Sequence, residues 1–440
     1  MMSTAREPGL IKRGVLWLLL LGPLFFLSYG LTNTYTAGRS DVGSLVFAWE
    51  GSIPLWPWTI IPYWSIDLLY GLSFLLPLSR REMDRHALRL LSAQVICILG
   101  FLLWPLRFTV ERPALDGLFG WLFDVLMGFD KPFNQAPSLH IALLVIIWAM
   151  FARHIHARLP RLLVHGWMAL IGLSVLTTWQ HHFIDLPSGA LVGVLCVWLW
   201  PVDGRPVLRH LQLARDPQRW RLALRYGAGA AVLVGLALYL GGVALWLMWP
   251  AVALLVVALN YAQLGAEGFQ KGSDGRLSYA ARWLLAPYLI GAWLNSRWWT
   301  RCHPQADEVC DGVYLGRIPG KGQAAHFAAI VDLCAELPAS LAPGQAYCAL
   351  PSLDLVVPTA ERCRDAAAAI EQLRQQGPVL VCCALGYSRS ASAVAAWLVL
   401  SGRCSDARQA QQRISQARPG VVLHPQHLQV IERLQTEPCL

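Results

Sequence analysis

The sequence predicts a multi-pass, all-α membrane bundle followed by a C-terminal α/β domain with a central sheet flanked by helices. Composition is the first reason: 55% of the 440 residues are hydrophobic, 14% are charged and the mean hydropathy is +0.44. Long apolar runs also concentrate before residue 300, whereas nine of the 11 cysteines follow it. A short apolar run, 378–381, then leads through a loop into a helical pattern at 391–400. The chain thus has room for a membrane module and one soluble domain of about 140 residues.

Eight apolar segments are predicted to form membrane helices, since a bilayer crossing takes about 20 residues. The predicted spans are 14–31, 58–78, 90–106, 139–152, 163–180 and 186–202, followed by two within 227–264, where Gly241-Gly242 and Pro250 break the run. The first span lacks a clean small-residue cleavage site and is expected to be retained. We therefore divide the chain into a six-span domain (1–205), a region with a basic loop, two spans and an interfacial segment (206–300), and a soluble domain (301–440).

Basic residues determine the predicted orientation. Lys and Arg cluster before span one and after spans two, four and six, which lie on one side if the spans alternate. That side is expected to be cytoplasmic, and the loops 32–57 and 107–138 then lie outside. The chain is thus predicted to be an integral protein of the inner (cytoplasmic) membrane. Its net charge of +9 fits this topology and attraction to anionic lipid, and no motif indicates nucleic-acid binding.

The run 278–301 determines the predicted side of the soluble domain. Arg282 and Arg297 bracket about 14 positions, which are too few for a crossing and favour an interfacial or re-entrant segment. Eight full spans then leave the soluble domain in the cytoplasm, which also suits the adjacent thiols Cys382 and Cys383. A ninth crossing here would place the domain outside, and this alternative stays open.

Two histidine motifs fall on the outer face of the predicted bundle. His140 ends the motif that begins at Pro137, at the start of span four, and His181 follows span five with Asp185 one helical turn later. A His–Asp pair at this spacing can hydrogen-bond, which fixes the imidazole tautomer and raises its nucleophilicity. His182 competes for this role but has no such aspartate. Any one of these histidines alone is more often a helix cap, and it is the set on one face that indicates a site.

These motifs resemble the type 2 phosphatidic acid phosphatase superfamily over about residues 50–202. They look especially like the inositol phosphorylceramide synthase branch, whose enzymes move a phosphorylated headgroup between lipids. The resemblance implies that His181 is a nucleophile and that Asp185 orients it. It further implies an acid/base role for His140 and a phosphate-binding role for Arg112. Two cations that the family uses to hold phosphate are missing here.

The stretch from Val381 to Ser390 is the most informative in the chain, because it places a cysteine and an arginine six positions apart around a small-residue loop. A strand, a tight loop and a helix start direct backbone N–H groups and the positive helix end at one point, which favours a dianion. Cys383 then lies where a thiolate is favoured, and Arg389 can bind two phosphate oxygens. The pattern predicts phosphoryl transfer through a cysteinyl phosphate. The predicted phosphate-binding residues are Ala384, Leu385, Gly386, Tyr387 and Ser388.

Roughly residues 305–436 resemble the cysteine-dependent dual-specificity phosphatases, whose signature is Cys, five residues, Arg and then Ser or Thr. The closest resemblance is to the mitochondrial branch that dephosphorylates phosphatidylglycerophosphate. It implies that Cys383 is the nucleophile and Arg389 the phosphate clamp. It also implies that Asp354 protonates the leaving oxygen and that Ser390 helps to release the thiolate.

The predicted function is therefore a membrane-bound phosphoric monoester hydrolase acting on phospholipid headgroups, with a second histidine-based lipid phosphate site. Cys382 stands where the family usually has histidine, which predicts lower activity at neutral pH. A membrane-anchored protein tyrosine or serine/threonine phosphatase and a degenerate lipid-phosphate sensor are the alternatives. The expected partners are membrane lipids and a phosphorylated lipid or protein. No metal or cofactor is expected, because the other cysteines lack zinc-type spacing.

Overall fold

The computed structural model describes residues 6–204, 206–320 and 322–436. The chain forms two compact units, Met1–Arg209 and His210–Leu440. The first unit is helical, and the second combines helices with a mixed five-stranded sheet. The predicted fold class, apolar helices followed by an α/β domain, is confirmed. The division at 205 and 300 stays a prediction, and residue 205 itself lies outside the described residues.

The first unit consists mainly of α-helices, and each predicted span in this unit falls on one of them. The helices are α1 (Leu10–Ala37), α2 (Ile60–Ser73), α3 (Arg80–Leu103), α4 (Gly117–Phe129), α5 (Leu139–His154), α6 (Arg158–Thr177) and α7 (Asp185–Leu199). Helix α3 begins ten positions before the predicted span because the Ser79 side chain caps it, accepting from the Glu82 N–H. The predicted inter-span loop 107–138 contains a further helix: its apolar 13-residue centre forms α4, which is shorter than a crossing needs.

Five helices in the described ranges are long and apolar enough to cross a membrane, which indicates a membrane-associated protein. They are Leu10–Ala37, Arg80–Leu103, Arg158–Thr177, Pro217–Leu240 and Gly242–Phe269. The predicted spans 58–78, 139–152 and 186–202 fall on helices of 14, 16 and 15 residues, shorter than a full crossing needs. The eight-span topology and its orientation therefore stay predictions.

The second unit begins with a helical hairpin. Helix α8 (Pro217–Leu240) and helix α9 (Met248–Leu259) are joined through Gly241 and Gly242, which have φ angles of +60° and +50° and so end the first helix. Pro250 does not break the run as predicted, because it lies in the first turn of α9, where proline removes no helical hydrogen bond. Helix α9 continues into a π turn, Asn260–Leu264, and two further helices follow, α10 (Tyr279–Leu284) and α11 (Ala286–Trp299).

The central sheet has the strand order β1-β2-β5-β3-β4. Its strands are β1 (Asp307–Cys310), β2 (Val313–Arg317), β3 (Ala329–Cys334), β4 (Ala346–Ser352) and β5 (Val379–Cys383). Strands β1 and β2 pair antiparallel, whereas β2, β5, β3 and β4 are parallel. The segments that follow β3, β4 and β5 therefore leave the same edge of the sheet, the usual place for a ligand in such folds. Four helices flank the sheet: α12 (Ala360–Leu373), α13 (Arg389–Leu400), α14 (Ala407–Ala417) and α15 (Pro425–Thr436).

Strand β5 lies at the centre of the sheet and is buried on both faces. Because side chains alternate along a strand, Cys383 packs with the core under Trp397, whereas Cys382 packs with Ile330 and Leu380 on the other face. The ten cysteines within the described residues are free thiols. The adjacent thiols of β5 thus point apart, so they cannot form a disulfide without rearranging the strand.

Candidate active site

The loop between β5 and α13 surrounds the thiol of Cys383. Its Sγ accepts hydrogen bonds from the Gly386 N–H at 3.2 Å and from the Ser390 hydroxyl at 3.3 Å, at the positive end of α13. Gly386 has a φ of +77°, and a Cβ there would lie 2.3 Å from the carbonyl carbon of Gly316. Both the backbone angle and the neighbouring chain therefore require glycine at this position.

The carbonyl groups of residues 383–387 all accept hydrogen bonds from donors outside the loop. Their donors are the Ile318 N–H for Cys383 (2.7 Å), the Ser296 hydroxyl for Ala384 (2.5 Å), Arg418 for Leu385 (3.4 Å) and Gly386 (3.1 Å), and the Val422 N–H for Tyr387 (2.8 Å). The C=O and N–H of a trans peptide point in opposite directions. Because the carbonyls are held outward, the loop N–H groups turn toward Cys383, as that of Gly386 does. This is the cradle that an anion needs.

Arg418 is the main outer support of this cradle. Its side chain is fully buried, and besides Gly386 and Leu385 it binds the Asp307 carboxylate at 2.6 Å and the Gln305 carbonyl at 2.9 Å. A buried guanidinium is stable only when its donors are satisfied, and this one has five acceptors. Arg418 is a supporting residue that the sequence did not reveal. Its contact with the loop lies 32 positions away and carries no local signal.

Arg389, the first residue of α13, lies among acceptors at the edge of the sheet. It is 1% exposed and binds both carboxylate oxygens of Glu336, at 2.9 and 2.7 Å, as well as the Ser352 carbonyl at 2.8 Å. Its Nη2 lies 3.0 Å from an oxygen of Asp354. The Nε–H of Arg389, also buried, has no partner among the described residues. A buried donor without an acceptor is costly, so an anion here would gain a hydrogen bond from it.

The two carboxyl groups beside Arg389 differ in their affinity for a proton. Burial raises the pKa of Asp354, and the negative charge of Glu336 raises it further, against the opposing effect of Arg389. Burial also acts to raise the pKa of Glu336, but the charge and hydrogen bonds of Arg389, with the nearby Lys271, hold it below its ordinary value. Two carboxyl groups with their pKa values pushed apart can serve as a fixed anion and a proton donor.

His427 orients the hydroxyl of Ser388 in the same loop. The His424 N–H donates to Nδ1 of His427 at 3.2 Å, so the ring proton is on Nε2. That Nε2–H lies 3.1 Å from the Ser388 oxygen and donates to it. Burial lowers the pKa of His427, which favours the neutral ring. No pattern in the sequence predicts that His427 lies at the loop.

The structure also brings together part of the predicted histidine site in the first unit. His181 Nδ1 lies 3.1 Å from Asp185, and its Nε2 lies 3.4 Å from the Ser138 hydroxyl, two residues before His140. The His140 ring stacks on Tyr63 at 4.3 Å, and its buried Nε2 has no partner in the described chain. Of the two rings, His140 thus has an unpaired nitrogen within the described residues, and His181 has one long contact from Nε2 to a hydroxyl.

Arg112 and His182 have partners that the sequence did not reveal. Arg112 donates to the Thr178 carbonyl at 2.8 and 3.1 Å, in the connection between α6 and α7 that also carries His181. His182 has its own carboxylate, because its Nδ1 lies 2.9 Å from Glu50, 132 positions away. Within the described residues, no three His, Cys, Asp or Glu side chains are grouped as metal ligands would be.

Comparisons with known proteins identify the class of the second unit's α/β domain. Residues 313–436 match the family model described as Dual specificity phosphatase, catalytic domain. The chain therefore carries a dual-specificity phosphatase catalytic domain, and this family hydrolyses phosphoric monoesters, so the predicted enzyme class is confirmed. The match leaves out residues 1–312, and the resemblance of residues 50–202 to the type 2 phosphatidic acid phosphatases stays a prediction. No curated protein matches the chain.

Solved structures similar to the chain align with about a third of it. Tk-PTP in its active form is 27% identical, with a TM-score of 0.27, covering 31% of this chain and 99% of that one. Human DUSP28 is 25% identical, with a TM-score of 0.28, covering 30% and 97%. PTPMT1 in complex with PI(5)P is 20% identical, with a TM-score of 0.28, covering 30% and 94%.

Proposed function

We propose that the protein is a membrane-bound phosphatase that hydrolyses phosphomonoesters of phospholipid headgroups through a cysteinyl phosphate. One observation carries this proposal: the hydrogen-bonded thiol of Cys383 shares one loop with Arg389, whose guanidinium also contacts Asp354 at 3.0 Å. Nucleophile, phosphate clamp and proton donor are the three groups that a phosphoryl transfer of this type requires.

In the first half of the reaction, the loop N–H groups and Arg389 hold the phosphate oxygens. The thiolate of Cys383 attacks phosphorus, an S–P bond forms, and the P–O bond to the headgroup breaks. Asp354 gives its proton to the departing oxygen, and its raised pKa keeps that proton available at higher pH than an ordinary aspartate would. The loop carbonyls point away, so no lone pair of the loop opposes the phosphate.

In the second half, water attacks the phosphocysteine. The carboxylate of Asp354 takes a proton from this water, inorganic phosphate forms, and the S–P bond breaks. The Ser390 hydroxyl, 3.3 Å from Sγ, stabilises the thiolate that leaves. Asp354 is then protonated again, and the site is ready for the next substrate.

A membrane substrate is supported by the helices of the same unit. Pro217–Leu240 and Gly242–Phe269 are each long and apolar enough to cross a bilayer, and Tyr261 of the second binds the backbone of Asp354. A catalytic domain held at the membrane meets lipid headgroups at a high effective concentration. The free thiols support the proposal that this domain lies on the cytoplasmic side.

The test compares wild type with Cys383→Ser, as full-length proteins in vesicles. We expect wild type to hydrolyse an aryl phosphate and Cys383→Ser to be inactive. A panel of phospholipid monophosphates and phosphopeptides then identifies the substrate, and we expect higher kcat/KM for the lipids. Preference for phosphopeptides would replace the lipid assignment by a protein phosphatase. Phosphate-lipid binding without hydrolysis would make the protein a sensor.

We further propose a second lipid phosphate site at His181 in the first unit. The supporting observation is the contact of His181 with Asp185, which places the ring proton on Nδ1 and the lone pair on Nε2, 3.4 Å from the Ser138 hydroxyl. We propose that this lone pair attacks the phosphate when a substrate takes the place of that hydroxyl. His140 would then serve as acid/base and Arg112 as a phosphate ligand.

The second site is tested in the Cys383→Ser background, in which the first site is silent. We expect His181→Ala to abolish the remaining lipid phosphatase or headgroup transfer. His165→Ala serves as the control, because the His165 ring, on α6, accepts a hydrogen bond from Trp148 on α5 and is not part of the proposed site. Equal activity of both variants would reject the assignment.

A further inference from the structure

Two hydroxyl groups from the helical segment that precedes the sheet reach the phosphatase site. Tyr261, in the π turn after α9, donates to the backbone carbonyl of Asp354 at 3.0 Å. Ser296, on α11, donates to the carbonyl of Ala384 at 2.5 Å. Both donors are buried, Tyr261 at 1% and Ser296 at 0% exposure. One contact thus falls on the segment that carries the proton donor and the other on the phosphate loop.

The peptide between Asp354 and Leu355 connects Tyr261 to the proton donor. Its carbonyl accepts from Tyr261, while its N–H interacts with the carboxylate of Asp354 and acts to lower the pKa of that group. Leu355 has a φ of +57° and is 63% exposed, so its own side chain adds little packing to offset a strained backbone conformation. The bond from Tyr261 therefore helps to fix the plane of this peptide and, through it, the direction of the carboxyl group.

Tyr261 is itself held in place by helix α8. Arg219 donates to the carbonyl of Tyr261 at 2.8 Å and to that of Asn260 at 3.2 Å, which are freed by the π turn. The ring of Tyr226 stacks on that of Tyr261 at 5.5 Å. Both helices of the hairpin thus determine where the hydroxyl lies.

Ser296 acts on the phosphate loop by the same geometry. Its hydroxyl holds the Ala384 carbonyl outward, so the N–H of Leu385, on the same peptide, turns toward the thiol side. The helix end around Ser296 is attached to the sheet, because Arg317 donates to the Thr300 hydroxyl at 2.6 Å, and that hydroxyl donates to the Ser296 carbonyl at 2.6 Å.

We propose that Tyr261 and Ser296 are positioning residues of the phosphatase, so that the segment from α8 to α11 completes the active site in addition to anchoring it. Tyr261 acts through the carboxyl group of Asp354, and Ser296 acts through the backbone of the phosphate loop. This inference rests on the proposed function of Cys383 and predicts a different kinetic effect for each residue.

Tyr261→Phe in the full-length protein is tested with aryl and alkyl phosphates whose leaving groups differ in pKa. Proton donation matters most for poor leaving groups, so we expect about a twofold loss for the best aryl phosphate and a further loss of about tenfold for an alkyl phosphate. This ratio of rates does not depend on the fraction of folded protein. Tyr226→Phe keeps the stacked ring and is the control. Equal loss across the series, or no loss, would overturn the role of Tyr261.

Ser296→Ala is tested by the binding of inorganic phosphate as a competitive inhibitor. We expect the inhibition constant and KM to rise about fivefold to tenfold, the scale of one hydrogen bond. The dependence of kcat on the pKa of the leaving group should stay as in wild type. Asn295→Ala, on the exposed face of the same helix, is the control. An unchanged inhibition constant would overturn the role of Ser296.

The outcome for Cys383→Ser separates this inference from the proposed function. If Cys383→Ser is inactive while Tyr261→Phe and Ser296→Ala behave as wild type, the helices only anchor the domain and the inference fails alone. If Cys383→Ser hydrolyses the aryl phosphate at the wild-type rate, the proposed function itself fails.

Discussion

Replacing Glu336 by glutamine tests the electrostatics of the site directly. Glu336 is 3% exposed, follows β3, and holds both terminal nitrogens of Arg389 at 2.9 and 2.7 Å. Its negative charge raises the pKa of Asp354, whereas Arg389 lowers it. Glutamine keeps the shape and one acceptor but removes the charge.

Both consequences of this change lower the pKa of Asp354. The repulsion by Glu336 disappears, and Arg389, having lost its carboxylate partner, interacts more strongly with the remaining one. A nearby charge changes a pKa by about one to three units. We expect the pKa of Asp354 to fall by about one unit, or roughly 1.4 kcal/mol, because the glutamine oxygen still accepts a hydrogen bond from Arg389. Removing one partner of a buried ion pair also costs about 3 kcal/mol of unfolding free energy.

The assay is the pH dependence of kcat/KM for an aryl phosphate. Asp354 must be protonated to donate, so the activity falls on the basic side as it ionises. We expect Glu336→Gln to move this basic limb about one unit to lower pH. Glu371→Gln, a surface carboxylate paired with Arg374, is the control and should leave the profile unchanged. A basic limb that stays in place, or moves to higher pH, would show that Glu336 does not raise the pKa of Asp354.

Three further variants test other parts of the account. The raised pKa of Asp354 means that its ionisation lowers the folding stability, and this loss develops as pH rises from the pKa of the unfolded chain through that of the folded protein. Asp354→Asn should therefore melt at a higher temperature than wild type, by a margin that grows with pH, while hydrolysis falls about 100-fold. A melting temperature below that of wild type at neutral pH would contradict the raised pKa. Gly386→Ala should lose activity because its Cβ would lie 2.3 Å from a backbone carbon. The control is Gly402→Ala, where φ is +73° and no atom lies within 4 Å, so only backbone strain should lower the free energy of unfolding, by about 1 kcal/mol in denaturant. Equal activities of the two variants would refute the steric argument. Arg418→Lys should weaken inhibition by inorganic phosphate about tenfold, since one ammonium group cannot hold two loop carbonyls. The control, Arg408→Lys at an exposed position, should leave the inhibition unchanged. Equal inhibition constants for the two variants would show that the loop does not need the support of Arg418.

The parts of the site that could be predicted are those encoded within a few positions. A buried strand, a small-residue loop and a helix start lie between 378 and 400, and the structure has β5, the loop and α13 there. Cys383 and Ser390 meet because the loop that separates them is short. His181 and Asp185 likewise lie four positions apart and are in contact, although His181 lies in the connection before α7 and not in a helix.

The supporting residues could not be predicted, because their contacts join distant parts of the chain. Glu336 meets Arg389 across 53 positions, and Tyr261 meets Asp354 across 93. Neither contact leaves a periodic pattern or a fixed spacing in the sequence, since both depend on how strands and helices pack. The effect of Pro250 could not be predicted for a related reason: it depends on whether the proline falls in the first turn or the interior of a helix.

The sulfur of Cys383 is proposed to carry the phosphoryl group during turnover. Mass spectrometry of rapidly quenched Asp354→Ala, which should hydrolyse the intermediate slowly, measures this directly after mixing with an aryl phosphate. We predict one added phosphoryl group on the peptide that contains Cys383, and none in the double variant Asp354→Ala/Cys383→Ser. Turnover with no phosphoryl group on this cysteine at any time point would contradict the account.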